Sequence, residues 1–356
     1  MRWALLLLTI ATGTASAEFR QAIEPWEWSF PRDHGRHDGF QTEWWYFTGN
    51  LASADGRRFG YQLTFFRSQI APAPIERDSP WAMRDLYFAH AAITDITGRQ
   101  FAFRDRLQRG RPGLAQASDQ TLDVYLLDWR AHLHDDGTIK LTAHEGDFAI
   151  DLVCTIERGP ILQGDRGLSP KGTRPGQASY YYSLTRLRTS GSLTIHGRRN
   201  EVSGLSWMDQ EFSSNVLADH QIGWDWLSLQ LDDGRDVMVF RLRNEAGETD
   251  YASATLIERD GTTRPFPASA IRMIGSDPWT SPRTGGAYPQ RWAIDIDGFG
   301  RLNIRSTLSE QELVTTNSTD VSYFEGAVEA IDDAGNVIGR GYLELTGYAQ
   351  PLRGGF

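Results

Sequence analysis

Short stretches of alternating apolar and polar residues, separated by glycine-containing turns, run along nearly the whole chain. Spacing typical of helices is scarce. Because successive side chains of a β-strand point to opposite faces, this pattern predicts an all-β fold of many antiparallel strands. Asp233-Gly234 and Asp135-Asp136-Gly137 have the composition of hairpin loops. The clearest strands are expected at Glu43–Leu51, Arg58–Arg67, Leu122–Leu133, Thr138–His144, Phe148–Ile156, Ser192–Ile195, Gly223–Leu231, Asp236–Arg243, Tyr251–Glu258, Arg291–Ile296, Arg301–Thr307, Ser322–Ile331 and Val337–Gly347.

Two segments lack this alternation. Gln69–Met83 is rich in proline, and Gly159–Gly176 combines glycine and proline with basic residues. Both are predicted to be long loops, which on β scaffolds often act as lids or binding elements.

One arrangement of strands occurs twice in the chain. A strand rich in tryptophan leads through a glycine turn into an apolar strand that ends in arginine. The first copy runs from Trp44 to Arg67 and the second from Trp224 to Arg241. The repetition predicts two barrels of similar construction, the second beginning near residue 216, and barrel closure would protect strand edges.

The N-terminus has the pattern of a secretory signal peptide. Arg2 is followed by an apolar run from Ala4 to Ile10 and by small residues that end in Ala15-Ser16-Ala17. The run is shorter than the roughly 20 residues that cross a bilayer. We therefore expect residues 1–17 to be removed and the protein to be periplasmic or secreted.

Charge and cysteine content exclude several classes of function. The net charge of −10 opposes binding to a phosphate backbone, so nucleic acid is not an expected partner. Cys154 is the single cysteine, which rules out an internal disulfide and a cysteine metal cluster. We interpret it as a buried strand residue.

Aromatic residues cluster in two of the predicted strands and in the segment Ser179–Ser183, and the chain has 12 tryptophans. Alternation places Trp44 and Tyr46 on one strand face, Trp224 and Trp226 on one face, and Tyr180 and Tyr182 on one face. Each residue could belong to an ordinary core. Together they indicate a pocket for an apolar ligand, lined by the first barrel or by its junction with the second.

The segment Ser206–Phe212 carries two carboxylates among aromatic residues. If it is a strand, Trp207, Asp209 and Glu211 point the same way. An apolar site raises the pKa of a carboxyl group, which could then donate a proton near neutral pH. A carboxylate paired with arginine is the alternative.

A metal site is a further possibility. His34 and His37 are close in sequence, and His132 and His134 alternate in a strand, but neither pair has a recognisable third ligand. Motifs of serine hydrolases, zinc peptidases and phosphate loops are absent from the sequence. We expect no cofactor and no metal.

Several motifs resemble those of a known family. His34–His37, Thr42–Leu51, Ala178–Ser183, Gly204–Phe212 and Gly341–Tyr348 look like blocks of the secreted, lipocalin-like proteins related to carotenoid 1,2-hydratase (hydroxyneurosporene synthase). The resemblance covers nearly the whole mature chain. It implies two consecutive lipocalin-like (calycin-like) β-barrels, which we place at residues 18–205 and 206–356.

The resemblance also implies a chemistry. In the hydratases an acidic residue protonates a double bond and water captures the cation, and by motif position that acid is Asp209. Tyr180 and Tyr182 stand where the hydratases carry a His and a Trp, and Trp207 stands where they carry a Tyr. The chain is more similar to the secreted branch described as predicted hydrolases.

These observations lead to two main hypotheses. The first is an exported protein that binds an isoprenoid or lipid-like molecule, with Asp209 and Glu211 as candidate catalytic groups. The second is a non-catalytic carrier that works with a membrane transport complex. A weaker third hypothesis makes His34 and His37 metal ligands of a hydrolase. The candidate ligand-binding residues are Trp44, Tyr46, Tyr180, Tyr182, Trp207, His220, Trp224 and Trp226.

Overall fold

The computed structural model describes residues 18–72, 83–214 and 217–352. The predicted signal peptide and most of the predicted loop at Gln69–Met83 lie outside these residues. The described part is all-β, with strands in two antiparallel sheets, as predicted. Its helices are two three-residue 3₁₀ turns, Arg32–His34 and Ala268–Ala270, and neither is long and apolar enough to cross a membrane.

The first sheet contains thirteen strands. They are β1 (Thr42–Ala52), β2 (Arg58–Gln69), β3 (Asp85–Asp95), β4 (Gln100–Arg109), β5 (Ala115–Ala117), β6 (Asp123–Leu126), β7 (Trp129–Leu133), β8 (Thr138–Glu145), β9 (Phe148–Ile156), β10 (Ile161–Leu162), β11 (Leu168–Pro170), β12 (Ala178–Ile195) and β13 (Arg198–Ser213). Their order is β4-β3-β2-β1-β13-β12-β9-β8-β7-β6-β5, and β10 and β11 pair with β12.

The second sheet contains ten strands. They are β14 (Gln221–Leu231), β15 (Asp236–Asn244), β16 (Thr249–Ile257), β17 (Thr263–Phe266), β18 (Ile271–Thr280), β19 (Ala287–Ile296), β20 (Gly300–Ser306), β21 (Glu312–Val314), β22 (Ser322–Ile331) and β23 (Val337–Leu345). Their order is β17-β16-β15-β14-β23-β22-β20-β19-β18, with β21 beside β22.

Both sheets follow one plan, as the repeated arrangement of strands predicted. The first four strands of each form a meander, and the first strand also pairs with the last, β1 with β13 and β14 with β23. Each sheet curls. Arg106 of β4 forms an ion pair with Glu145 of β8 at 2.8 Å, and Arg241 of β15 donates to the carbonyl of Met273 in β18 at 3.1 Å.

Several strands were missed by the sequence reasoning. β3 and most of β12 are buried on both faces, so their sequences show no polar alternation. β4, β13 and β18 were missed as well. β12 and β13 form a long hairpin whose turn, His196-Gly197, has positive φ at both residues, the geometry of a tight two-residue turn. The predicted division at residue 206 falls inside β13, whereas the sheets change over between Ser213 and Gln221.

The molecule has separate cores inside and between the sheets. The first sheet encloses residues such as Trp45, Phe47 and Trp129, and the second encloses residues such as Val239 and Trp292. A third cluster lies between the two sheets and contains Tyr46, Tyr181, Trp207, Trp226, Phe240 and Tyr342. The aromatic strands therefore pack one sheet's outer face against the other's, and each sheet's interior is filled by its own apolar residues.

Candidate functional site

A pocket lies between the two sheets. It is partly open to solvent, and the volume that the centres of water-sized molecules can occupy inside it is about 50 Å³. The side chains around it are mostly aromatic, with three carboxyl groups and one amine. They are Trp44, Tyr46, Phe66, Lys171, Tyr181, Asp209, Glu211, Trp224, Trp226, Phe240, Leu242 and Glu344.

Strand register builds the first wall. Residues opposite each other on neighbouring strands share a face. Tyr46 of β1 stands opposite Asp209 of β13, which stands opposite Ser183 of β12. Two residues along, Glu211 stands between Trp44 and Tyr181.

The second wall comes from β14, β15 and β23. Trp226 of β14 stands between Phe240 of β15 and Glu344 of β23. Trp224 lies two residues before Trp226 on the same face, and its Nε1 donates to Glu344 Oε2 at 2.9 Å. The Trp226 ring meets the Tyr46 ring edge-on, with centroids 5.2 Å apart.

Asp209 is buried and hydrogen-bonded to neutral groups. Its Oδ1 accepts from Ser183 Oγ and from Trp207 Nε1, both at 2.6 Å, and its Oδ2 accepts from the Tyr181 hydroxyl at 2.7 Å. Trp226 Nε1 donates to the same Tyr181 oxygen at 3.0 Å. No cation among the described residues forms an ion pair with Asp209. The sequence left open a pairing of this carboxylate with arginine, and the described residues do not form it.

The environment of Asp209 favours the protonated carboxyl. Burial raises its pKa to about 7, and the nearby Glu211 charge acts in the same direction. The three hydrogen bonds oppose this rise because they stabilise the anion. The balance leaves a group that exchanges its proton near neutral pH, as a general acid must.

Glu211 differs from Asp209 because it is paired with a cation. Lys171 Nζ lies 2.8 Å from Glu211 Oε1, and both side chains are buried. The ammonium also lies over the Phe240 ring, 4.2 Å from its centroid. Lys171 follows β11 in the segment Gly159–Gly176, which was predicted to be a long loop. The segment instead contains the short strands β10 and β11, and its Lys171 lines the pocket.

The second wall also carries a carboxyl group, Glu344 of β23, which lines the same pocket as Asp209. Removal from water raises the pKa of Glu344 to about 8, and the charges of Glu211 and Asp209 add to the rise. Glu325 of β22 stands directly opposite Glu344 and is fully buried. It accepts a hydrogen bond from the Tyr46 hydroxyl at 2.7 Å, and burial raises its pKa strongly.

The structure brings six of the predicted site residues into one pocket. They are Trp44, Tyr46, Asp209, Glu211, Trp224 and Trp226. Trp207 does not line the pocket but supports Asp209 through its indole nitrogen.

Three predicted ligand-binding residues lie elsewhere. The Tyr180 hydroxyl donates to the Glu24 carbonyl in a separate aromatic cluster, and the Tyr182 hydroxyl donates to Gln210 Oε1. The register turns Tyr181, not its neighbours, toward the pocket. His220 is exposed and pairs with Asp250 at 3.1 Å.

The histidine pairs have other partners. His37 contacts Glu43 through Nδ1 at 2.7 Å and Asp33 through Nε2 at 3.3 Å. His34 Nδ1 lies 2.6 Å from the Tyr182 hydroxyl, and burial lowers its pKa to about 4. Among the described residues no group of three or more His, Cys, Asp or Glu side chains is placed to hold a metal ion. Cys154 is buried in β9, as predicted, and burial raises the pKa of its thiol to about 11.

Sequence reasoning missed half of the pocket residues. They are Phe66, Lys171, Tyr181, Phe240, Leu242 and Glu344. The repeated plan of strands offered a signal for Phe66 and Phe240, because each lies in the strand that follows a tryptophan strand. Glu344 lies in Gly341–Tyr348, one of the blocks that carry the family resemblance, but no role was assigned to it from the sequence alone.

The fold and site can now be compared with known proteins. The model of the AttH-like family matches residues 21–348. The chain belongs to the AttH-like family. This match confirms the sequence resemblance at the level of the AttH-like family. The more specific link to carotenoid hydratases stays a prediction.

Solved structures support this assignment. A crystal structure assigned to AttH from Nitrosomonas europaea is 34% identical, with a TM-score of 0.85 over 93% of this chain and 100% of that one. Kievitone hydratase from Nectria haematococca has a TM-score of 0.69 over 94% of this chain and 99% of that one, at 14% identity, and shows likeness of fold.

One curated protein is also similar to this chain in sequence. Kievitone hydratase from Fusarium solani subsp. phaseoli is 24% identical over 155 residues. The match spans 42% of this chain and 43% of the relative, so the chain matches less than half the length of that protein.

Proposed function

We propose that this AttH-like protein catalyses hydratase-type chemistry, in which Asp209 protonates a carbon–carbon double bond of an apolar small molecule bound between the two sheets. The observation that carries the proposal is the state of Asp209. It is buried, hydrogen-bonded to three neutral donors and without an ion pair in the described structure, and it faces an aromatic pocket. Sequence similarity to a kievitone hydratase supports the same class of reaction.

The proposed step balances without a cofactor. The proton of Asp209 bonds to one alkene carbon through the π electrons, which leaves a cation on the other carbon. A water molecule bonds to that carbon through oxygen and then loses a proton to the Asp209 carboxylate. The alkene and water become an alcohol, and Asp209 regains its starting form.

The aromatic walls support such a cation. Tyr46 and Trp226 line the pocket on opposite sheets, and the Trp207 ring lies 6.4 Å from the Trp226 ring. A cation over an aromatic face is stabilised by about 2 kcal/mol when both are removed from water.

The test is Asp209→Asn, with kievitone as the first probe and mass gain from ¹⁸O-labelled water as the readout. We expect turnover to fall by about 10²- to 10⁴-fold, the usual contribution of a general acid, with little change in ligand affinity. Glu312→Gln is the matched control, because Glu312 is buried, accepts hydrogen bonds from Ser281, Thr284 and Tyr288, and does not line the pocket. Unchanged turnover in Asp209→Asn would exclude the acid role.

The carrier hypothesis has one observation in its favour, since an aromatic pocket binds an apolar guest whether or not it reacts. A guest that binds tightly and is recovered unchanged in labelled water would favour this role.

Export is part of both proposals. Purified mature protein is expected to begin at Glu18, which N-terminal sequencing checks.

A further inference from the structure

The pocket has an unusual balance of charge. Three carboxyl groups line it, Asp209, Glu211 and Glu344, and a fourth, Glu325, lies beside Glu344 on the neighbouring strand. Lys171 is the single cationic side chain among its described lining residues, and it is already held by Glu211 at 2.8 Å. An anionic ligand would meet this acidic wall without a free positive partner, and burying an unpaired charge is costly.

Glu344 and Glu325 form a closely spaced pair of carboxyl groups. They stand directly opposite each other on β23 and β22, a position that brings side chains within about 5 Å at Cβ. Two such groups in a buried site cannot both be ionised. Glu325 Oε1 has no hydrogen-bond partner among the described residues, although the atom is buried.

The surroundings of Glu344 leave it hydrogen-bonding capacity toward the pocket. Its Oε2 accepts from Trp224 Nε1 at 2.9 Å, and a carboxyl group has capacity for more hydrogen bonds than this one. The ionisable groups nearby are mostly acids or phenols, namely Glu325, Tyr323, Tyr46, Asp209 and Glu211. In the part of the chain that the structure describes, Lys171 is the one cation that lines the pocket with them. The raised pKa of Glu344 is consistent with a proton-bearing group at neutral pH.

We propose that the pocket selects uncharged ligands that carry an oxygen atom, and that Glu344 is the residue that hydrogen-bonds to that oxygen. This inference rests on the proposed function in so far as it names the class of ligand for the same pocket. The alkene would then lie toward Asp209 on the first sheet and the oxygen toward Glu344 on the second. A fatty acid anion of equal size would be rejected.

Three probes with one carbon skeleton test this selectivity. Farnesene has no oxygen, farnesol has a neutral hydroxyl, and farnesoate is an anion at neutral pH. Quenching of tryptophan fluorescence reports binding because Trp44, Trp224 and Trp226 line the pocket. We expect farnesol to bind most tightly, farnesene about fivefold more weakly through loss of one hydrogen bond, and farnesoate at least ~tenfold more weakly.

Two variants assign the effect to Glu344. Glu344→Leu is expected to remove the preference for farnesol over farnesene. Glu344→Gln keeps the shape, an acceptor for Trp224 and a neutral donor, so it should retain that preference and should also show that the site folds. Farnesoate binding as tightly as farnesol, an unchanged preference in Glu344→Leu, or no binding of any probe would overturn the inference.

The outcome is separable from that of the proposed function. Asp209→Asn removes one acid from the wall and so should weaken the rejection of farnesoate, but it is expected to keep the preference for farnesol over farnesene, because Glu344 is unchanged. Selective binding without turnover of any alkene would contradict the hydratase proposal alone. Turnover that depends on Asp209, with equal affinity for alcohol and anion, would contradict the ligand class alone.

Discussion

The three groups that bind Asp209 behave differently when the carboxyl gains a proton. The Trp207 indole can only donate a hydrogen bond, whereas the hydroxyls of Ser183 and Tyr181 can turn and accept one. A proton can therefore sit on Oδ1 toward Ser183 or on Oδ2 toward Tyr181. The side chain stays hydrogen-bonded in both states, so it can lose and regain a proton without rearrangement of the wall.

The pKa of Asp209 also has a consequence for stability. Its folded value of about 7 lies above the ordinary 3.8, so the folded state binds the proton more strongly than the unfolded state does. This contribution to stability is fully present below about pH 4 and is lost as the pH rises to about 7. The group thus opposes folding most when it is ionised.

Tyr181→Phe is expected to shift the pH profile of turnover upward. In the native protein, turnover should fall as the pH rises through about 7, because Asp209 loses its proton. Removing the Tyr181 hydroxyl takes away a hydrogen bond that stabilises the anion, so the fall should occur at higher pH. Tyr182→Phe is the matched control, since that hydroxyl contacts His34 and Gln210 and not Asp209. A downward shift in Tyr181→Phe would contradict the assignment.

At the scale of strands, alternation predicted which residues share a face but not which face is turned to the pocket. Trp44 with Tyr46, and Trp224 with Trp226, were placed correctly on shared faces. In the run Tyr180-Tyr181-Tyr182 all three residues are aromatic, so the sequence holds no contrast from which to choose. The pairing of Tyr181 with Glu211 decides it, and that pairing depends on the register of the β12–β13 hairpin.

The segment around β11 carries a buried ion pair that can be tested alone. Lys171→Met leaves the Glu211 carboxylate buried without its cation, which should lower the free energy of unfolding by roughly 3 kcal/mol. Adding Glu211→Gln removes the unpaired buried charge and should recover most of the lost free energy of unfolding. Denaturant unfolding measures both variants.

The control for this prediction is an exposed pair. Arg188 and Glu157 lie 3.0 Å apart, with the arginine side chain 69% exposed. Arg188→Met should change stability by less than about 1 kcal/mol. A double variant at Lys171 and Glu211 that is no more stable than Lys171→Met would show that the lysine stabilises the fold by another route.

At the scale of the whole molecule, the two sheets are joined by buried charged contacts as well as by aromatic packing. Asp236 of β15 is fully buried and accepts from Arg186 of β12, in the first sheet, and from Arg158, which follows β9. Asn50 Nδ2 donates to the Gly341 carbonyl at 2.9 Å. Separation of the sheets would leave these polar groups without their hydrogen-bond partners.

We therefore expect heat to unfold both sheets in one transition. The calorimetric enthalpy should equal the van 't Hoff enthalpy, because neither sheet keeps its buried contacts without the other. Differential scanning calorimetry checks this. Two resolved transitions would show that the sheets unfold as independent units.

The repeated tryptophan strands were enough to predict two sheets of one plan, and the junction was among the predicted positions of the pocket. Its chemistry was less accessible. Glu344 lies 135 residues beyond Asp209 in the sequence, and only the packing of the two outer faces brings its wall opposite. Contacts between distant strands of separate sheets leave no local pattern in a single sequence.

Because the pocket lies between the sheets, its walls are largely independent of the two interior cores. A substitution at Phe240 or Leu242 can reshape the cavity without a compensating change inside either sheet. A small rotation of one sheet on the other alters the distance between Asp209 and Glu344 while both scaffolds stay intact. If the proposed function holds, substitutions at the contact between the two sheets would change which ligand binds without altering either interior core.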